Sequence, residues 1–243
     1  MNQPKARNAM TGFMMDKTRE ALPRLAADSS VRCVVLTGAS KAFCAGGDVK
    51  GMNARNSGGA PSQASLESNV DDLRQRQRTV SAALQNFPKV TVAAVDGAAA
   101  GAGLSIALAC DLRVASPRAI FTTAFAKVGF SGDFGGSWFL TQLVGPAKAR
   151  ELYFLADAVE AEEALSLGLF NRVVPDDKLE EETGLLAKRL AHGPTVTLGY
   201  MKKNLDAAIS QPLAQCLDLE AMHHARTSQT DDHMEAATAF VEK

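Results

Sequence analysis

Apolar positions near the start of the chain recur with a helical period. Phe13, Met14, Ala21, Leu22 and Leu25 fall on one face, with Asn8 or Thr11 as the start signal and Pro23 placed to kink the run. The β-branched stretch 31–37 predicts a strand closed by Gly38. A glycine-rich turn, Ala42-Phe43-Cys44-Ala45-Gly46-Gly47-Asp48, then leads into a short helix at Val49-Lys50-Gly51-Met52, with Asp48 as its N-cap. Residues 53–65, rich in Gly, Ser and Asn, read as a mobile loop beside that turn, and hence as a lid. A charged amphipathic helix over 66–87 is stopped by Pro88.

A second strand over 90–95 runs through Asp96-Gly97 into the tiny residues Ala98-Ala99-Ala100-Gly101-Ala102-Gly103. The helix predicted over 101–110 is apolar nearly all round, which places it at the centre of the fold. Strands follow over 112–115 and 120–125, then a glycine-rich turn over 129–136 that opens a further helix at Ser137-Trp138-Phe139-Leu140. From Pro146 onward the pattern is helical, interrupted only by Val173-Val174-Pro175. The amphipathic stripes over 187–205 and 212–222 predict core or subunit interface. The chain thus divides into an α/β core over 1–175 and a helical region over 176–243 suited to a small domain or an oligomer contact.

Composition narrows the function classes. With 46% hydrophobic and 22% charged residues in 243, the chain has the make-up of a globular protein with a sizeable core. No apolar run approaches the ~18 residues of a membrane span, and Met1-Asn2-Gln3-Pro4-Lys5 has no apolar leader, so a cytoplasmic location is expected. A net charge of -1 argues against nucleic acid or a membrane surface as partners held by bulk electrostatics. Cys33, Cys44, Cys110 and Cys216 are too widely spaced for a C-x-x-C pair. His192, His223, His224 and His233 do not match H-E-x-x-H, so no metal site is expected.

Common catalytic motifs fail as well. The phosphate-loop signature is absent, Gly101-Ala102-Gly103-Leu104-Ser105-Ile106 lacks the third glycine of a dinucleotide fingerprint, and Gly129-Phe130-Ser131-Gly132-Asp133 misses a nucleophile elbow by its last residue. What remains is the pair of strand-to-helix turns. Phe43-Cys44-Ala45-Gly46-Gly47-Asp48, then Val95-Asp96-Gly97 through Gly101-Ala102-Gly103 to Ala109-Cys110-Asp111, then Gly135-Gly136, resemble the crotonase family of enoyl-CoA hydratases and isomerases. Pro4-Lys5-Ala6-Arg7-Asn8-Ala9-Met10 is similar to that family's N-terminal signature, and Ala161-Glu162-Glu163-Ala164-Leu165-Ser166-Leu167-Gly168-Leu169 before Asn171-Arg172-Val173-Val174 to its later one. The matches are collinear across nearly the whole chain.

The resemblance implies a spiral of ββα units with a helical C-terminal region that packs into trimers, often paired as hexamers. It also implies an acyl-CoA substrate, with no cofactor beyond the coenzyme A that the substrate carries. The backbone N–H groups of Gly47 and Ala102 would hold the thioester oxygen, on which negative charge develops as an enolate forms. Lys5, Ala6 and Arg7 would meet the nucleotide phosphates, with Ala45 and its neighbours Gly46 and Asp48 near the adenine.

Hydratases of the family use two glutamates, and the matching positions here are Ser105 and Phe125, neither of which can serve as a carboxylate. Asp133 matches the catalytic aspartate of isomerase-type members such as the epoxyphenylacetyl-CoA isomerases, and burial among Phe125, Phe130 and Phe134 would make it a better base. The alternative for Asp133 is to cap the helix that begins near Gly135, while Asp48 and Asp111 read as structural. Double-bond isomerisation with Asp133 as acid and base is therefore expected. Hydration of an enoyl-CoA with a single acid, or non-catalytic binding of acyl-CoA, are the alternatives.

Overall fold

The computed structural model describes residues 1–57 and 65–242. Helix α1 (Gly12–Ala27) starts where the Thr11 hydroxyl accepts from the Met14 N–H at 3.2 Å, so Thr11 rather than Asn8 is its cap. It continues through Pro23 and buries Met14, Met15 and Leu22, whereas Phe13, assigned to the same face by periodicity, is exposed.

Strands β1 (Cys33–Thr37), β2 (Val90–Val95), β4 (Leu112–Ala115) and β7 (Arg172–Val173) form one parallel sheet in the order β1-β2-β4-β7. A second sheet joins β3 (Ala98–Ala100) to β5 (Ile120–Thr122) in parallel, and β5 to β6 (Val159–Glu160) antiparallel. Each circuit of the chain leaves the first sheet and lays a short extended piece in the second. Cys44 therefore pairs with Ala99, Ala99 with Phe121, and Phe121 with Val159, as in a spiral.

Alternate residues of the central strands serve different layers. On β2, Ala93 and Val95 join the main core with Phe43, Leu104 and Phe121, while Val92 packs with Val114, Leu179 and Leu186. Leu179 and Leu186 belong to helix α8 (Leu179–Ala191), which covers the outer face of the sheet.

Helix α2 (Val49–Ser57) takes up the first part of the stretch read as a lid loop; the remainder of that stretch includes 58–64, which lie outside the described residues. The helix predicted over 66–87 is α3 (Leu66–Gln77), a widened π-type turn (Arg78–Ala82) and the single turn α4 (Ala83–Gln85). Helix α5 (Ala102–Leu108) is buried along its whole length, as its all-round apolar pattern requires. Helix α6 (Gly136–Leu155) is broken at Gly145, whose φ of 75° and ψ of 166° are not helical, with Pro146 next in the chain. Then come α7 (Ala161–Ser166), α9 (Thr195–Ala208), α10 (Leu213–Thr227) and α11 (Asp231–Val241), so the stripe read over 187–205 is two helices parted at Gly193-Pro194.

Helix α9 is tied to the core by Lys202, which is 8% exposed on its side chain and pairs with Asp111 at 2.9 Å. Asp111 also accepts from the Thr91 backbone N–H at 2.7 Å, which makes it the structural residue expected. Among the described residues no helix is long and apolar enough to cross a membrane.

Candidate active site

The turn after β1 is built by backbone ladders. The Cys44 N–H donates to Ala98 O at 3.0 Å, and the Ala100 N–H returns to Cys44 O at 3.0 Å. Gly46 follows with φ +86°, and a Cβ there would stand 2.4 Å from Ala100 O and 3.4 Å from the Ala102 nitrogen. Only glycine therefore lets this turn lie against the start of α5. From the other side, a Cβ on Gly103 would be 2.3 Å from Cys44 O, so the helix seats directly on the turn. The Ala102 N–H lies in the first helical turn, where no intrahelical carbonyl is available to it. Among the described residues, neither it nor the Gly47 N–H donates to a backbone carbonyl. An N–H at the positive end of the buried helix, beside the turn that carries the Gly47 N–H, is suited to an oxygen that gains negative charge.

Ser105 lies three residues after Ala102 and so on the same face of α5. It is fully buried, and its hydroxyl donates to the backbone oxygen of Asp133 at 3.0 Å. The Gly136 N–H reaches the same oxygen at 3.1 Å. These bonds clamp the loop before α6, in which Gly132, Phe134 and Gly135 all have positive φ. The loop is held open in a left-handed path that no regular element could take.

The Asp133 side chain does not cap α6. Gly135 is the cap residue, and no side chain bonds to the helix start. Instead, Asp133 Oδ1 is buried with no hydrogen-bond partner among the described residues, and desolvation pushes its carboxyl from the ordinary 3.8 up to about 6. Phe125 and Phe134 are buried, as expected of that apolar surrounding, but Phe130 is 55% exposed and takes no part in it.

The site also contains a residue that the sequence reading did not single out. Tyr153, on the second half of α6, stacks on Phe125 with ring centroids 5.8 Å apart. A Cβ on Gly136 would lie 2.7 Å from its hydroxyl and 2.4 Å from Ser105 Oγ, which places both oxygens at the start of α6. The hydroxyl is buried without a hydrogen bond of ordinary geometry. Burial, then the Asp133 charge, pushes its pKa up to about 12, with the nearby Ser137 side chain opposing weakly.

The N-terminal segment meets this site along its edge. Lys5, Ala6 and Arg7 are exposed on and beside a 3-10 turn (Pro4–Ala6), and Gln3, Pro4, Lys5 and Ala6 line an open hollow of about 380 Å³. The Ala45 N–H donates to Arg7 O at 3.0 Å, and the Met10 N–H to Gly46 O at 2.7 Å. Asn8 is completely buried and pins the segment by donating to Ala39 O at 2.9 Å and Ala42 O at 2.8 Å. The structure thus brings Lys5, Ala6, Arg7, Ala45, Gly46 and Gly47 together. Asp48 caps α2, accepting from the Gly51 N–H at 3.0 Å. A larger cavity of about 430 Å³, lined by Leu108, Trp138, Lys202 and Leu205, includes none of the residues singled out from the sequence for catalysis or coenzyme A binding. Among the described residues, no group of His, Cys, Asp and Glu is arranged to hold a metal ion.

The family model for "Enoyl-CoA hydratase/isomerase" matches residues 1–243. The chain is 35% identical over 244 residues to "1,2-epoxyphenylacetyl-CoA isomerase" of Escherichia coli (strain K12), covering 100% of this chain and 90% of the relative. It is 36% identical over 243 residues to "Probable enoyl-CoA hydratase" of Rhodobacter capsulatus, again covering 100% and 90%. The crystal structure of an enoyl-CoA hydratase from Polaromonas sp. JS666 superposes with a TM-score of 0.90 at 33% identity, covering 99% of this chain and 91% of that one.

Proposed function

The chain belongs to the enoyl-CoA hydratase/isomerase family, and from that premise we propose that it shifts the double bond of an enoyl-CoA thioester. In this reading Asp133 removes a proton from the carbon next to the thioester carbonyl of a 3-enoyl-CoA. The electron pair moves onto the thioester oxygen, which the Gly47 and Ala102 N–H groups hold as an enolate. The same carboxyl then returns the proton to the far end of the conjugated system, giving the 2-enoyl-CoA with no atom gained or lost. Lys5 and Arg7 sit at the edge where the phosphates of coenzyme A would emerge.

The observation that carries this reading is the Asp133 carboxyl, whose Oδ1 is buried with no partner among the described residues and whose pKa is pushed up to about 6. Such a group is ionised at neutral pH yet more basic than an ordinary carboxylate, which suits a proton that must leave and return. The word "isomerase" in the name of the Escherichia coli relative supports the same reading. The hydratase names of other relatives favour a second one, hydration of a 2-enoyl-CoA. That reaction would have to proceed without carboxylates at Ser105 and Phe125. Exposed apolar side chains on the C-terminal helices, Leu205, Leu213 and Leu217 among them, suit the self-association that the family resemblance implies.

Incubation with 3-hexenoyl-CoA, followed by the absorbance of the conjugated thioester, tests the proposal. Conjugation is expected, with a rate that rises as pH increases through about 6 and falls by ~10²–10⁴ in Asp133→Asn. Faster formation of 3-hydroxyacyl-CoA from a 2-enoyl-CoA, or an Asp133→Asn enzyme within tenfold of the parent, would overturn it.

A further inference from the structure

We propose that Tyr153 is a positioning residue for Asp133: its phenol O–H is the donor that holds the carboxylate once an acyl group fills the site. The inference rests on the reading of Asp133 as the working acid and base, and goes beyond it by naming the group that steadies that carboxylate.

Two of the buried polar atoms that lack a partner among the described residues are Asp133 Oδ1 and the Tyr153 hydroxyl, and both belong to this site. An acceptor and a donor left unpaired in one desolvated place each cost free energy that a mutual bond would recover. Geometry confines the phenol to this neighbourhood. Its ring is stacked on Phe125, and its edge passes Gly132 so closely that a Cβ there would stand 3.1 Å from Cε1 and 3.4 Å from the hydroxyl. Gly132 is the residue immediately before Asp133. Its φ of +121° and the bare backbone of Gly136 leave the phenol room beside the carboxyl-bearing loop. With its pKa pushed up to about 12, the hydroxyl keeps its proton at every working pH and serves as donor rather than base.

Other charges stand back from the pair. Helix α5 carries no titratable side chain. Lys127 on the preceding turn and Arg150 and Glu151 on α6 are exposed, and exposed Arg78 lines the neighbouring cavity with Phe134. Desolvation is the whole cause of the Asp133 shift, so no charged side chain competes with a donor arriving at Oδ1.

A hydrogen bond donated to a carboxylate favours its charged form, so removing the donor raises the pKa further. Tyr153→Phe keeps the ring and its stack on Phe125 and removes only the hydroxyl. The test follows the titration of carboxyl-¹³C-labelled aspartates by NMR in the parent and in Tyr153→Phe, each with saturating butyryl-CoA, with Asp133→Asn identifying the signal. Thermal unfolding checks that the variant remains folded. An Asp133 midpoint at least half a pH unit higher in Tyr153→Phe is expected. With 3-hexenoyl-CoA, the acid limb of kcat/KM should move in step, kcat should fall about tenfold, and KM should stay within twofold. Identical Asp133 midpoints in parent and variant would overturn the inference. Because the titration needs no turnover, a parent enzyme that fails to isomerise would count against the proposed function alone.

Discussion

Asp133→Asn should make the protein more stable at neutral pH while removing its activity. The parent holds a carboxyl whose pKa lies at about 6 when folded and near 3.8 when unfolded. A group raised in this way favours the folded state below pH 3.8, and that benefit is lost as pH rises through 6, because the charged form is the one burial penalises. The displacement corresponds to an upper figure of about 3 kcal/mol, reduced to about 1–2 kcal/mol because the side chain is only partly shielded from water. Asn has the same shape and no charge, so it escapes that cost above pH 6 and gains nothing at pH 4. At about 2–4 °C per kcal/mol for a chain of this size, Asp133→Asn should melt about 2–8 °C above the parent at pH 7.5, with the gap closing toward pH 4. Calorimetry at matched protein concentration across pH 4–8 measures it, the match being needed because self-association would shift both melting points. A variant that is no more stable at pH 7.5 than at pH 4, relative to the parent, would refute the desolvated carboxyl and with it the basis for its acting as a base.

Two further substitutions probe how the site is held. Gly103→Ala puts a methyl group 2.3 Å from Cys44 O, where backbone rather than a flexible side chain must yield. It should destabilise the protein by about 1–3 kcal/mol in urea titrations and weaken activity by moving α5 off the Gly46-Gly47 turn. Lys202→Met leaves Asp111 charged and without its cation in a mostly buried place. A loss of about 3 kcal/mol is expected by the same titration, with kcat for any acyl-CoA unchanged within a few-fold because the pair lies outside the acid site.

The strands that read most sharply from sequence are β2 and β4, whose boundaries the structure reproduces residue for residue. Both are flanked by parallel neighbours and buried on two faces, so apolar residues fill them apart from the buried Thr91 and Arg113, and the ends are abrupt. Strands β3 and β6, of three and two residues, are too short to show a period of two, and β3 is all alanine. They exist because Cys44, Ala99, Phe121 and Val159 fall in register from one circuit to the next, which only the assembled spiral determines. Polar composition misled in the opposite direction at Asn53, where α2 continues to Ser57.

Gly46, Gly47, Ala102 and Asp133 could be singled out by resemblance because each lies in a short motif with fixed spacing. Tyr153 could not. It reaches the site from the far side of the break at Gly145, and nothing in the local pattern of α6 distinguishes it from an ordinary core aromatic. Its position nonetheless bears on the residues that could be read. The Ser105 hydroxyl already bonds the Asp133 backbone oxygen, and a single added carbon on Gly136 would lie 2.4 Å from that hydroxyl and 2.7 Å from the Tyr153 oxygen. A glutamate in place of Ser105 would crowd the Asp133 loop and the phenol beside Gly136, and one in place of Phe125 would remove the ring on which Tyr153 stacks. Ser105, Phe125, Asp133 and Tyr153 are therefore coupled by packing, so that a change at one bears on the others. Small Ser105 lies under the loop and bonds its backbone, the loop carries Asp133, and Phe125 stacks with Tyr153 beside it.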